Sequence, residues 1–332
     1  MTSSPPASRA ALIAGFAAIY LIWGSTYLGI RIVVETVPAF LMAGVRFLVA
    51  GLIVAGFIAL TRGFRATRAQ WRDNAIIGGF LCLGGNGLVS WAEEKVPSGI
   101  ATLIISAGPV FIVLMDWAVH AWFKDGKRGT KPTALTFLGL ALGFTGLAVL
   151  VGPDVLATGV GSLDPWRVLG LLCATFFWGV GMIIMRYVRE PAEPFTASGI
   201  QMICGSGWLL LASVATGELS RFDPGAISSR SVVAWTYLVL FGSLVGFSTF
   251  TWLMKHSTPA KVSTYAYVNP IVAVFLGWLV LHEPVSPRIF VSAAIIIAGV
   301  AIITVAKTIK PAPAKPPEEL PPATEPLTQD SR

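Results

Sequence analysis

ALIAGFAAIYLIWGSTYLGI, residues 11–30, is a run of twenty residues without a single charge. A helix rises about 1.5 Å per residue, and crossing the hydrocarbon of a bilayer takes about 20 apolar residues. A backbone in hydrocarbon must satisfy its own polar groups, so a run of this length reads as a transmembrane helix. It is too long for the core of a signal peptide, and it has neither a strongly basic leader nor a small-residue cleavage site. The expectation is a retained first helix.

The same pattern recurs outward from that stretch. Apolar runs of spanning length cover roughly residues 38–61, 75–92, 98–122, 134–152, 167–188, 195–216, 232–254, 260–281 and 288–307. Composition agrees. Of 332 residues, 55% are hydrophobic and only 12% charged, whereas a soluble domain carries about 25% charged residues. So few polar side chains cannot cover a water-facing surface of this size, and the implied solvent is lipid. Cys82, Cys173 and Cys204 all lie inside apolar runs, an odd count that fits neither a disulfide framework nor a metal site.

The net charge of +7 raises nucleic acid as a partner, but the positions of the charges argue otherwise. With the N-terminus in the cytoplasm, seventeen Lys and Arg fall in inside segments and six in outside segments, leaving Arg46 within a span. This bias is the positive-inside rule at work and assigns both termini of a multi-pass membrane protein to the cytoplasm. The stretch after Lys310, rich in Pro and acids, reads as a low-complexity disordered tail.

The first run also has a copy. Shifting the chain by 155 residues lays Trp23-Gly24 on Trp178-Gly179, Arg31 on Arg186, Phe40 on Phe195 and Gly44 on Gly199. A shift of 161 lays Trp91 on Trp252, Pro109 on Pro270 and Trp117 on Trp278; a shift of 153 lays Phe137 on Phe290 and Gly146 on Gly299. The Trp and Pro matches carry the argument, because apolar residues and glycines recur by chance. Ten helices then divide into two sets of five. Five being odd, the second copy enters the membrane from the opposite side. The expected fold is all-α and polytopic, with ten transmembrane helices as two inverted five-helix repeats and substrate sites near the midplane between them. The organisation runs as a cytoplasmic N-terminal tail (1–10), a first repeat (11–152), a periplasmic linker (153–166), a second repeat (167–307) and a Pro-rich cytoplasmic tail (308–332).

Five stretches carry a resemblance: Tyr20-Leu-Ile-Trp-Gly-Ser-Thr-Tyr27, Pro38 through Gly44-Val-Arg-Phe47, Val96-Pro-Ser-Gly-Ile-Ala101, Ser263-Thr-Tyr-Ala-Tyr-Val-Asn-Pro-Ile271, and Gly277 through Glu283. Over about residues 10–307 the chain resembles the EamA-type permeases of the drug/metabolite transporter superfamily, and looks closest to their YedA-like branch. The resemblance implies a bacterial inner-membrane carrier with ten helices around a central cavity, and small substrates such as amino acids, related metabolites and some drugs. It also implies an acidic residue at the end of the fourth helix of each half. Glu283 keeps that acid in the second half, whereas Trp122 stands at the equivalent place in the first.

The polar residues at membrane depth are the candidates for function. Arg46, about 12 Å into helix 2 by helical rise, either lines the cavity and attracts a substrate carboxylate or is structural; Gln201 is its repeat mate. Asn86, Tyr265, Tyr267 and Asn269 face either substrate or neighbouring helices, since unpaired polar groups in hydrocarbon cost several kcal/mol. Trp23 and Trp178 either pack across the seam between halves or stack on substrate. Pro109 and Pro270 are candidate kinks. Asp116 and Glu93 are candidates for proton coupling, against a plain role as ion-paired or solvated acids at span ends. His120, His256 and His282 lack metal-ligand spacing, and no phosphate-binding glycine loop is visible, so neither metal, cofactor nor ATP is expected.

The expected function is a secondary transporter, not an enzyme, exporting small metabolites such as amino acids or related carboxylates by alternating access. Efflux of cationic or lipophilic drugs is the alternative within that class. A membrane enzyme, or a non-transporting receptor or scaffold, is the alternative outside it. The partners expected are a small-molecule substrate and the lipid bilayer; nothing in the sequence marks an oligomer surface.

Overall fold

The computed structural model describes residues 8–106, 108–122, 133–158, 163–188, 192–257, 262, 265–283 and 285–308. The expected N-terminal tail is thus described only from residue 8, and the Pro-rich tail beyond residue 308 lies outside the described residues.

Among the described residues all regular structure is helical. Helix α1 covers Arg9–Val33, α2 Ala39–Thr61 and α3 Arg68–Glu93. Helix α4 covers Ser98–Ile105, α5 Gly108–Trp122 and α6 Ala134–Thr158. Helix α7 covers Pro165–Tyr187, α8 Pro194–Ala215 and the single turn α9 Glu218–Arg221. Helix α10 covers Ser229–His256, α11 Tyr265–Leu281 and α12 Pro287–Thr308. Short polar residues set the starts. Ser8 accepts from the Ala11 amide, Thr67 and Gln70 close a capping box, Asp164 precedes Pro165, and Ser228 accepts from Ser231. Each satisfies amide donors that the first turn leaves open. Helices α1, α2, α3, α7, α8 and α10 are long and apolar enough to cross a membrane, and shorter apolar stretches lie in α6, α11 and α12. Ile13, Leu21, Phe57 and Leu60 point outward on α1 and α2, as a lipid-facing surface requires.

Two spans differ from their sequence reading. The run 98–122 is broken into α4 and α5, and Pro109 stands in the first turn of α5 instead of kinking a continuous helix. Pro is well placed there, because a first turn has no use for its missing N–H. Pro270, its repeat mate, does lie inside α11. Helix α6 runs on to Thr158 past Gly152-Pro153, so the expected linker begins inside a helix.

Packing follows the repeat. Helix α1 packs on α10 and α11 of the other half, and its counterpart α7 packs on α3 and on α4 and α5. Helices α2 and α8, which correspond, pack on each other, as do α6 and α12. The glycines of the repeat make these crossings tight. A β-carbon at Gly146 would stand 2.6 Å from Ile296 Cγ1, and one at Gly299 would stand 2.7 Å from the Gly139 carbonyl oxygen. Both distances are below any tolerable contact, so the α6–α12 crossing needs glycine on each side.

The middles of α3 and α10 are π-helical, over Gly79–Gly87 and Leu238–Phe247. These two segments are repeat-equivalent. Widening the turn rotates the residues that follow it, and such segments recur at functional sites.

Candidate functional site

A cavity lies between the two halves, walled by α1, α2, α3, α4, α5, α7, α10 and α11. It encloses about 810 Å³ of space between atoms, open mouth included, of which the centre of a water molecule reaches about 80 Å³. One buried water needs about 10–15 Å³ on the latter measure, so the space has room for a small solute.

Both π-helical segments contribute wall: Gly85 and Asn86 from α3, Gly242 and Phe247 from α10. The aromatic side of the cavity is built from Trp23 on α1, Trp178 on α7 and Tyr265 on α11. The Trp23 ring stands edge-on to Trp178 at 5.5 Å between centroids, edge-on to Tyr265 at 5.1 Å, and tilted against Phe250 at 5.1 Å. Edge-to-face contact of this kind is the preferred packing of aromatic quadrupoles. The Trp23 indole donates to the Gly242 carbonyl at 3.4 Å, which ties α1 to the π-helical turn of α10.

Arg46 supplies the charge. It is 2% exposed on α2 and lines the cavity. Its Nε donates to Ser243 Oγ at 2.8 Å, and its guanidinium carbon lies 4.9 Å from the centre of the Phe47 ring. Its Nη1 has no hydrogen-bond partner, and no acid pairs with it among the described residues. A buried cation held by one hydroxyl and a ring face keeps donor capacity for an anion. Asn269 completes this wall. With its amide nitrogen turned inward it donates to the carbonyls of Tyr20 and Tyr265, both at 3.1 Å, and its oxygen remains an acceptor.

One buried cation, an aromatic wall and two amides thus line a cavity between paired halves of a helix bundle. The EamA-like transporter family matches twice, over residues 10–152 and 165–305. The chain belongs to the EamA-like transporter family. It is 34% identical over 297 residues to the uncharacterized inner membrane transporter YedA of Escherichia coli (strain K12), covering 89% of this chain and 91% of YedA. It is 23% identical over 302 residues to the uncharacterized transporter YoaV of Bacillus subtilis (strain 168), covering 87% of this chain and 95% of YoaV. A protein crystal structure shares the fold at TM-score 0.63 and 19% identity, covering 91% of this chain and all of that one.

As an EamA-family chain it is a polytopic helical membrane protein built of two repeats, and its candidate residues separate into groups. Trp23, Arg46, Asn86, Trp178, Tyr265 and Asn269 come together around the cavity. Gln201 does not. It is buried against α3, where its Nε2 donates to Asn74 Oδ1 at 2.7 Å. Asp116 lies away from the cavity lining in an ion pair with Arg186 at 3.1 Å. The side chains of Tyr267 and Pro109 lie outside the described residues. Glu93 is buried at the end of α3, near the cavity residue Tyr27.

The acid expected of the family at the end of the fourth span, Glu283, is not a cavity residue. His282 adopts a left-handed conformation (φ 54°) that ends α11 and turns Glu283 over the start of α4. There Glu283 accepts from the Ser98 amide and hydroxyl, both at 2.9 Å, and from the Gly99 amide at 3.3 Å. A carboxylate at a helix N-terminus satisfies open amides and the dipole together. Trp122, at the equivalent place in the first half, ends α5 as an exposed residue. Sequence reasoning missed Tyr27, Ser243 and the gripped turn of Gly242. Tyr27 was visible as the last residue of the quoted YLIWGSTY motif, whereas nothing marked Ser243, which only the π-helical turn aims at Arg46.

Proposed function

We propose that this chain is a secondary transporter of the bacterial inner membrane that exports a small carboxylate-bearing metabolite by alternating access, with both termini in the cytoplasm. Arg46 carries the proposal: a buried guanidinium that faces the cavity, has an unpartnered Nη1 and is paired with no acid among the described residues. A substrate carboxylate is the group that completes it, since carboxylates accept charge-assisted hydrogen bonds from Arg in a planar fork. Asn86 and Asn269 offer polar contacts to the rest of the solute, and Trp23, Trp178 and Tyr265 cover its apolar part. The two matched halves support alternating access, because similar repeats can exchange roles at nearly equal energy. The excess of Lys and Arg on one set of loops supports the orientation.

The test is a thermal-shift screen of detergent-purified protein against amino acids, organic acids and lipophilic cations. A ligand at a hundredfold excess over its Kd stabilises the folded state by about 2.7 kcal/mol. The expected outcome is a shift with carboxylates that Arg46→Ala cuts to about half or less at the same ligand concentration, while Arg46→Ala elutes as folded protein. Charge-assisted hydrogen bonds contribute about 1.5–3 kcal/mol, so affinity should fall by roughly ten- to a hundredfold. A shift with lipophilic cations alone, unchanged in Arg46→Ala, sinks the carboxylate assignment.

A further inference from the structure

Among the acids described at membrane depth, Glu93 is in an unusual position. It is 0% exposed, and among the described residues neither of its carboxyl oxygens has a hydrogen-bond partner. The groups around it are committed elsewhere. On α1, Arg31 donates to the backbone carbonyls of Glu93 at 2.7 Å and Glu94 at 3.1 Å, not to the Glu93 side chain. On α7, Arg167 pairs with Glu94 at 2.8 Å and also donates to the Trp91 carbonyl. After α11, Glu283 is a second acid within electrostatic reach of Glu93, spent on the N-terminus of α4. Helix α2 brings one charged group, Arg46, whose Nε is turned to Ser243, and α4 brings none. Tyr27 on α1, within electrostatic reach of Glu93, also lines the cavity, as does Tyr265 on α11.

An ionised carboxyl here would be a buried charge with no hydrogen-bond donor among the described residues, with the Glu283 acid as well as the Arg31 cation in electrostatic reach. Such groups neutralise instead. Asp116, the other acid proposed from the sequence, has the opposite situation, with its charge met by Arg186. We infer that Glu93 is a proton-binding site of the transport cycle, un-ionised in this conformation and losing its proton to water when the surrounding helices part. The ligand is a proton, bound to one carboxyl oxygen from water on one side of the membrane and released as hydronium on the other. No electron moves and no other bond changes. Tyr27 connects this site to the substrate cavity, so that occupancy of one alters the other. The inference rests on the transporter reading above, but its first test does not.

That test is infrared spectroscopy of the full chain in lipid vesicles, wild type against Glu93→Gln, which keeps the shape of the neutral acid. The expected result at neutral pH is an un-ionised carboxylic C=O band that shifts in heavy water, is lost in Glu93→Gln and persists in Asp116→Asn. Raising the pH should abolish the band. Only carboxylate bands at neutral pH would overturn the inference. The second test follows a radiolabelled mixture of the common L-amino acids in proteoliposomes under an imposed pH gradient. Wild type should accumulate label, and Glu93→Gln should exchange it across the membrane without accumulating it. Equal accumulation by both would overturn the coupling role. Failure of wild type to move any label would count against the carrier reading, while the infrared result still decides Glu93.

Discussion

Helices α2 and α8 are the same element in the two repeats, pack on each other and differ where it matters. Arg46 and Gln201 occupy equivalent places, yet Arg46 faces the cavity and Gln201 faces Asn74 on α3. The backbone repeats while the chemistry does not. The repeat supplies a shared scaffold, and only the first half's residue of this pair turns a cation toward the cavity.

The most severe way to break the comparison is to make the halves alike. Gln201→Arg places a cation in a seam where its neighbour is the Asn74 amide, and where no acid pairs with this position among the described residues. Translocon-based scales put an Arg at the centre of a membrane helix at about 2.5–3.5 kcal/mol, and the packed seam leaves no room for the longer side chain to reach water. The expected outcome is aggregation or a strongly reduced folded fraction in fluorescence-detected size exclusion. A monodisperse Gln201→Arg protein of normal yield would mean that the seam is wetter than its packing implies. Gln201→Met, similar in size and uncharged, should fold.

The misjudged place of Gln201 shows what a sequence can and cannot carry. The spans were legible because hydropathy is local: α1, α2, α7, α8 and α12 begin and end within about three residues of their apolar runs. The start of α3 was not. Its apolar run begins at 75, but the Thr67–Gln70 capping box starts the helix at Arg68, and that extra length brings Asn74 to Gln201. Contacts between residues far apart left no local trace either. Glu283 reaches Ser98 across 185 positions and Arg46 reaches Ser243 across 197. The π-helical turns were equally silent, because Gly-rich apolar stretches read the same in either helical winding. The aromatic and amide residues around the cavity were legible as a set, since polar groups at membrane depth must face something other than lipid.

The two helices also start differently, and this sets a smaller effect. Helix α8 is capped from within: Glu193 accepts from the Phe195 and Thr196 amides, both at 3.0 Å. Helix α2 is capped by Glu218 of α9, which is 2% exposed and accepts from the Phe40 and Leu41 amides at 3.1 and 2.8 Å. Removing a cap costs about 0.5–2 kcal/mol, and leaving buried amides unsatisfied sits at or above the top of that range. Glu218→Ala should therefore lower the Tm in detergent more than Glu193→Ala, whose vacated amides lie where water can replace the carboxylate. Equal losses would mean that the α2 start is as wet as the α8 start.

The finest effect is at Trp23 and Trp178, a repeat-related pair whose rings touch each other. An edge-to-face pair contributes about 0.5–1.5 kcal/mol beyond the area it buries, and a double-mutant cycle isolates that term. Trp23→Leu, Trp178→Leu and the double variant, compared by Kd for the best carboxylate found in the screen, should couple by that amount if the substrate is held by the pair as a unit. The singles should not be equal. Trp23 also donates to Gly242 and packs on Phe250 and Tyr265, so its loss frees the π-helical turn beside Arg46 as well as the aromatic wall. Trp178 shares Phe250 and packs on Gly85 in the π-helical turn of α3, but its indole N–H donates to no carbonyl among the described residues. Strictly additive singles of equal size would mean that the two indoles act as separate pieces of wall, and that the asymmetry between the halves ends at Arg46.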